Sequence, residues 1–394
     1  MNKLDKKIFG TLFFSIFAAV TGVGIVVPLL PVYAHDLGAS GFYIGLIFGA
    51  FSLSRTFFLP FFGRLSDLKG RKPLIVPGFL AYALISVAFV YSKSVDTLIA
   101  IRFFHGIASA MLMPVIQAYI GDITPKGREG VTMGMFNMSL FLGLSLGPLI
   151  GGTLKDHFSL QGSFFCMGLL ALIGFFLCLF LLPPTRSERA ISRGKNPFSW
   201  KMLLDDRQMV GLFLFRFAYV VCVGIIWGFI PLLADMEFAA SSSLIGMLVM
   251  LGVFISGLIH VPMGYLADKM SKKLMVAAGG LLISYAIFSF EWSASIKDLV
   301  IATVIFGLGG GISMPALMAM AVLKGSRINA MGSIMALMTV AHSLGMLCGA
   351  LVGGLMMDFF QLRWAFPLGA VVMMICTGLF LISTYPQKQR INNN

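Results

Sequence analysis

Gly63-Arg64-Leu65-Ser66-Asp67-Leu68-Lys69-Gly70-Arg71-Lys72-Pro73 crowds charges between two long apolar runs, in a chain of 394 residues of which 11% are charged. Its parts have separable jobs. Gly63 lets two helix ends approach closely, and Gly70 supplies the positive φ that a tight turn needs. Asp67 is placed to cap the following helix or to pair with a nearby cation. Arg71 and Lys72 are expected to stay in water beside the bilayer. A solvated turn between two membrane helices requires no more than this. A worn copy follows 201 residues later, as Gly264-Tyr265-Leu266-Ala267-Asp268-Lys269-Met270-Ser271-Lys272-Lys273. It keeps Asp268 but has Ser271 and Lys272 where the turn glycine and arginine would stand.

The rest of the chain explains why charge is so confined. Hydrophobic residues make up 58% of it, whereas a soluble domain carries roughly a quarter charged residues. That apolar surface needs lipid. Because no alternating ten-residue pattern appears, helices rather than a barrel must satisfy the backbone. The five cysteines, Cys166, Cys178, Cys222, Cys348 and Cys376, lie in apolar runs without metal-ligand or disulfide spacing. They read as small buried residues. Residues 8–34 are too long for a signal-peptide core and read as a first span.

Cutting at polar breaks, with about 20 apolar residues needed per crossing, gives twelve spans. They lie near 8–34, 42–63, 74–92, 96–120, 130–154 and 161–182, then 208–234, 243–265, 274–292, 297–323, 329–356 and 362–384. The fold class is all-α and polytopic. A first six-helix bundle occupies 1–182, a basic linker 183–207 and a second bundle 208–394. Placing the N-terminus in the cytoplasm puts 22 of the 29 lysines and arginines on that side. Positive charge collects there, so both termini are expected inside a plasma (inner) membrane. This bias also accounts for the net charge of +13 without a nucleic-acid partner.

The two halves repeat. Pro28 matches Pro231, Ile44-Gly45 matches Ile245-Gly246, and Gly106 and Pro114 match Gly307 and Pro315. Gly151-Gly152 with Asp156 and Phe158 match Gly353-Gly354 with Asp358 and Phe360, all at offsets of 201 to 203. Chance does not hold one spacing over so many places. A parallel duplication of two bundles encloses a site near the midplane and permits alternating access by rocking, which points to transport of a small molecule.

Within the spans, ionisable residues are few. Arg102 lies about six residues inside the outer end of span four. It either faces a polar partner or snorkels outward. Arg55, on span two, either reaches the inner headgroups or lines the cavity and binds an anionic group; Arg216 is read as snorkelling inward. No Asp or Glu falls at mid-depth. Asp36, Asp235, Glu237 and Glu291 lie near the outer boundary. His105 and His342 are the mid-bilayer groups that titrate near neutral pH, with His260 nearer the inner side. Each also has a bland reading as a hydrogen-bonded packing residue. Asp36 is an alternative proton carrier if span one extends further. Gly143, Gly147, Pro148, Gly151 and Gly152 place glycines on one face of span five beside a proline. That pattern allows close helix contact and a bend.

Gly63 to Pro73 resembles the signature loop between the second and third helices of the major facilitator superfamily. The resemblance implies that the loop latches the cytoplasmic face, that Asp122 pairs with Arg71, and that an Asp67–Arg71–Asp122 cluster breaks when the protein turns inward. Gly63, Asp67, Gly70, Arg71, Lys72, Asp122, Arg128 and Asp268 are the gating residues so implied. Residues 143–152 resemble the fifth-helix motif of exporters in that superfamily, above all the twelve-span drug:proton antiporters. Arg102-Phe103-Phe104-His105-Gly106 resembles their fourth-helix motif, with His105 where glutamine is common, and ties Arg102 to proton coupling. Relatives often keep a carboxylate within the first helix; this sequence does not. Spans one, four, seven and ten would line the cavity in such a fold, which nominates Pro28, Pro31, Tyr33, Met113, Gln117 and Trp227.

The leading expectation is a proton-coupled exporter of small amphipathic or apolar compounds, acting as a monomer. The alternative is an uptake or exchange carrier for an organic anion, with Arg55 and Arg102 holding its charge. A lipid-handling protein or a membrane sensor is a third class. No acid dyad, Ser/His pair or metal cluster falls within the spans, so no enzyme, metal or cofactor is expected. No GxxxxGK[ST] loop is present to bring ATP.

Overall fold

The computed structural model describes residues 3–124, 129–183, 206–327 and 331–385. Among these it contains twelve helices long and apolar enough to cross a membrane, and no strand. The first six are α1 (Lys3–Asp36), α2 (Gly41–Lys69), α3 (Lys72–Tyr91), α4 (Val95–Ile123), α5 (Glu129–His157) and α6 (Leu160–Leu181). The second six are α7 (Arg207–Phe238), α8 (Ser242–Lys269), α9 (Lys272–Ser289), α10 (Ile296–Arg327), α11 (Met331–Phe359) and α12 (Ala365–Ser383). The protein is a multi-pass membrane protein.

Local chemistry sets many of the helix ends. Ser94 and Thr97 form a capping box at the start of α4. Ser159, Asp206 and Ser241 accept first-turn amides of α6, α7 and α8. Gly38 (φ +84°) and Ala239 (φ +47°) turn the chain out of α1 and α7 at equivalent places. Ala239 holds that conformation at a cost of about 1–2 kcal/mol. Large side chains such as Phe57, Phe61, Phe180, Val261, Tyr285 and Ile382 point outward. They make the surface that lipid covers.

The packing follows the repeat. In the first bundle α1 packs on α5 and α6, α2 on α4, and α3 on α4 and α6. In the second, α7 packs on α11 and α12, α8 on α10, and α9 on α10 and α12. Adding six to each label of the first list gives the second. The bundles meet through α2 with α11, α5 with α8, and α1 with α7, again in two-fold fashion.

One expectation about the decisive stretch needs correction. Gly63 to Lys69 is the last part of α2, not loop, and the chain changes direction only at Gly70 and Arg71. A single glycine costs a helix only about 1 kcal/mol, and nothing else before Gly70 breaks it. The copy behaves alike: α8 runs to Lys269, with Met270 and Ser271 between helices. The face that carries these two turns is called the basic face below, and the opposite one the far face.

Candidate functional site

On the basic face, Gly70 has φ +90° and donates its N–H to the Ser66 carbonyl. This aims Arg71 back across the end of α2. Its Nη1 donates to Ser66 Oγ at 2.6 Å and its Nε to Asp122 Oδ2, at the end of α4, at 3.1 Å. Lys72 Nζ donates to the Leu179 and Leu182 carbonyls at 2.8 and 2.6 Å, capping α6. The turn therefore ties α2, α4 and α6 together. Arg71 and Lys72 do not stand free in water: Arg71 meets side-chain oxygens near the ends of α2 and α4, and Lys72 takes the unpaired carbonyls that end α6. Gly63 meets no neighbour within 4 Å of where a Cβ would lie, so it mediates no close approach. The Asp67 side chain and all of Arg128 lie outside the described residues.

The second half keeps part of this scheme. Lys273 bonds the Thr384 carbonyl at the end of α12, as Lys72 does for α6. Asp268 is exposed and has no ion pair among the described residues. Lys324, 202 residues after Asp122 in sequence, pairs with Asp206 at the start of α7.

The far face holds the bundles together. Asp156, ending α5, accepts the Ser242 and Ser243 amides of α8 at 3.0 and 2.7 Å. Asp358, ending α11, accepts the Gly41 and Phe42 amides of α2 at 2.6 and 2.8 Å. Each carboxylate sits at the positive end of a helix of the other bundle. Gly152 and Gly354 lie so close to the Ser242 and Gly41 carbonyls that a Cβ at either would overlap them. Gly143, Gly147 and Gly151 face α1 instead; a Cβ on Gly151 would stand 2.6 Å from the Ile25 carbonyl. Pro148 abuts Gly24 on α1, and its carbonyl faces Gly246 on α8. With this face docked, the Arg71–Asp122 pair is intact. Both partners ride on the first bundle.

Between the faces lie the buried cations. Arg102 is 4% exposed. Its Nε donates to the Ile47 carbonyl at 3.4 Å, and its guanidinium carbon stands 4.4 Å from the Phe51 ring centre. It is sealed between α2 and α4 and does not snorkel. Arg102 Nη1 meets His105 Nδ1 at 3.4 Å. Arginine only donates, so that nitrogen accepts and the proton sits on Nε2, which has no partner. The His105 ring packs edge-on to Tyr82 at 4.7 Å and is fully buried.

A second Arg–His pair lies in the other bundle. Arg216 Nη2 meets His342 Nδ1 at 3.2 Å and Nη1 meets Met314 Sδ at 3.0 Å. Its Nε is buried without a partner. Arg216 thus reaches inward, contrary to the snorkelling expected of it; sequence gave its depth but not its direction. Arg55 stands at the middle of α2, with no hydrogen bond or ion pair among the described residues. Gly41, Gly45 and Gly49 of α2 meet Gly354, Ala350 and Leu347 of α11 in antiparallel steps, which brings Arg55 level with His342. The two lie within electrostatic reach of each other.

The remaining candidates divide. Tyr33 Oη donates to the Ser92 carbonyl at 2.6 Å, which fixes it at the far rim of the first bundle rather than in a cavity. Asp36 is the last residue of α1 and exposed. Met113 and Gln117 lie one turn apart on α4, and Met113 and Trp227 are half-buried while Gln117 is exposed. Among the described residues, no group of three His, Cys, Asp or Glu is placed to hold a metal.

The sequence profile of the Major Facilitator Superfamily matches residues 12–233 and 212–394. An uncharacterised MFS-type transporter of Methanocaldococcus jannaschii is 29% identical over 376 residues, covering 94% of this chain and 96% of that one. Multidrug resistance protein 2 of Bacillus subtilis is 27% identical over 388 residues, covering 96% and 95%. A bacterial homologue of the human lysosomal transporter Spinster, solved inward-facing and unoccupied, superposes with a TM-score of 0.82 at 13% identity, covering 97% of each chain. With the profile taking up nearly the whole length and each half folded on the same plan, the chain belongs to the Major Facilitator Superfamily.

Proposed function

We propose that this transporter exports small amphipathic compounds across the plasma membrane by alternating access, energised by the proton-motive force. One observation carries the reading. The bundles meet through α2, α5, α8 and α11, most tightly at the far face and along α5 and α8 as far inward as Phe141 and His260, whereas α4 and α10 do not pack on each other among the described residues. A seam tightest at one face, with two central helices apart, is the arrangement that a rocking pair of bundles adopts at one end of its cycle. The basic residues support a cytoplasmic basic face with both termini on it, so the interior opens to the cytoplasm here. The glycine–proline pattern of α5 and the likeness to Multidrug resistance protein 2 support export. With no carboxylate at mid-depth, His342 is the group that takes up a proton, once Arg216 leaves its Nδ1.

Proteoliposomes with an imposed pH gradient, and separately an imposed potential, test this against cationic, neutral and anionic amphipathic compounds. Outward movement that responds to either gradient is expected. Movement indifferent to both would overturn the coupling, and uptake against an outward gradient would overturn the direction.

A further inference from the structure

The membrane interior of this protein is cationic. Arg55, Arg102 and Arg216 lie well inside α2, α4 and α7, while every Asp and Glu of the described residues falls near a helix end. A charge at that depth is costly and is kept where something answers it. Arg102 is answered within its own bundle by aromatic faces and a carbonyl. The other two are answered less fully: as an aromatic face Arg216 has only the Tyr219 ring, its centre 5.9 Å from the guanidinium carbon, and it has no carbonyl or carboxylate among the described residues. Arg55 has no hydrogen-bond or ion-pair partner among the described residues, and Arg216 meets a thioether and an imidazole that carries no charge when it accepts, with its Nε left over.

We infer that the cargo carries an anionic group, a carboxylate, sulfonate or phosphate ester on an apolar body, gripped between Arg55 of one bundle and Arg216 of the other. The inference rests on the exporter reading and names its substrate class. Guanidinium forks suit such oxyanions, which accept two parallel hydrogen bonds. Arg55 and Arg216 stand on opposite bundles, Arg216 on His342 and Arg55 level with it along α2. An anion bridging them favours closure around itself, which is the differential binding that a conformational cycle needs. A cation would meet repulsion from both. An inside-negative potential then adds to the drive that moves the bound anion outward.

The test compares tritiated 1-naphthalenesulfonate with trimethyl-(1-naphthyl)ammonium, two probes of one aromatic body and opposite charge, on the purified full chain. The sulfonate is expected to bind, the ammonium to compete poorly, and Arg55→Gln and Arg216→Gln each to weaken sulfonate binding about ten- to a hundred-fold, the loss of one charged hydrogen-bond partner. Arg55→Lys and Arg216→Lys should lose less. Absence of sulfonate binding, equal competition by the ammonium, or wild-type affinity in glutamine variants that elute and melt as wild type would overturn the inference. Transport in the same preparation separates the two readings. Sulfonate bound but not moved outward leaves the charge inference standing and overturns export, and outward movement of the ammonium alone does the reverse.

Discussion

Asp358 does for α2 what Asp156 does for α8: each carboxylate ends a helix of one bundle and takes two backbone amides at the start of a helix of the other. The two residues lie 202 apart in sequence. They act as paired clasps across the far face, and rocking the bundles the other way has to undo both.

Neutralising a clasp should therefore shift the conformational balance without unfolding either bundle. Both carboxylates are exposed, so Asp156→Asn and Asp358→Asn are expected to cost the docked state about 0.3–1 kcal/mol each. Spin labels at Lys93→Cys and Lys297→Cys, in a background lacking the native cysteines, report far-face separation. The expected result is a larger long-distance population in each single variant and a larger one still in the double, with melting temperature little changed.

On the basic face the Arg71–Asp122 pair lies within one bundle, so its removal should loosen α2 against α4 rather than free one bundle from the other. Asp122 is largely exposed and the pair is worth at most about 1 kcal/mol. Lys72→Met should cost more, because it strips two carbonyls at the end of α6 of their donor. Thermal melts of Asp122→Asn, Lys72→Met and the exchanged pair Arg71→Asp with Asp122→Arg rank these effects. The exchange should recover part of the loss.

What could be read from sequence was whatever is local or periodic. Apolar length marked the twelve crossings, and one constant offset exposed the duplication that the packing reproduces. The extent of α2 escaped, since charge alone does not distinguish a helix entering water from a loop; the break came at Gly70, not Gly63. The direction of a side chain around its helix escaped as well. Arg216 had the spacing of a snorkelling residue and points at His342 instead, whereas Tyr33 had the position of a cavity residue and bonds Ser92. Asp156 and Asp358 were visible as equivalent residues, but nothing in sequence says which helix start each one faces across the two bundles.

Arg102 is enclosed by α2, Phe51 and His105, which makes its substitution chiefly a matter of stability. Losing a desolvated cation–π contact costs about 2 kcal/mol. Arg102→Gln is expected to lower the melting temperature while leaving the affinity for transported compounds within a few-fold of wild type. Arg55→Gln should show the opposite pattern, with affinity lost and melting temperature kept. Measuring both quantities on both variants decides whether the signal in α4 marks a ligand or a packing residue.

The glycines of α5 and α11 separate docking from folding. A Cβ on Gly152 or Gly354 would enter the backbone at the start of α8 or α2, atoms that belong to the other bundle. A Cβ on Gly147 would stand 2.7 Å from the Gly24 Cα, within its own bundle. Backbone does not yield as a flexible side chain does, and overpacking of this kind typically costs about 1–3 kcal/mol. For Gly152→Ala and Gly354→Ala that cost falls on the docked state alone, so both should fold and insert normally while the spin-labelled far face stays open and turnover drops. For Gly147→Ala it falls on every state, so the melting temperature should drop while the distance distribution keeps its shape. Equal melting losses in all three variants would show that the far-face glycines serve packing within a bundle and not closure between bundles.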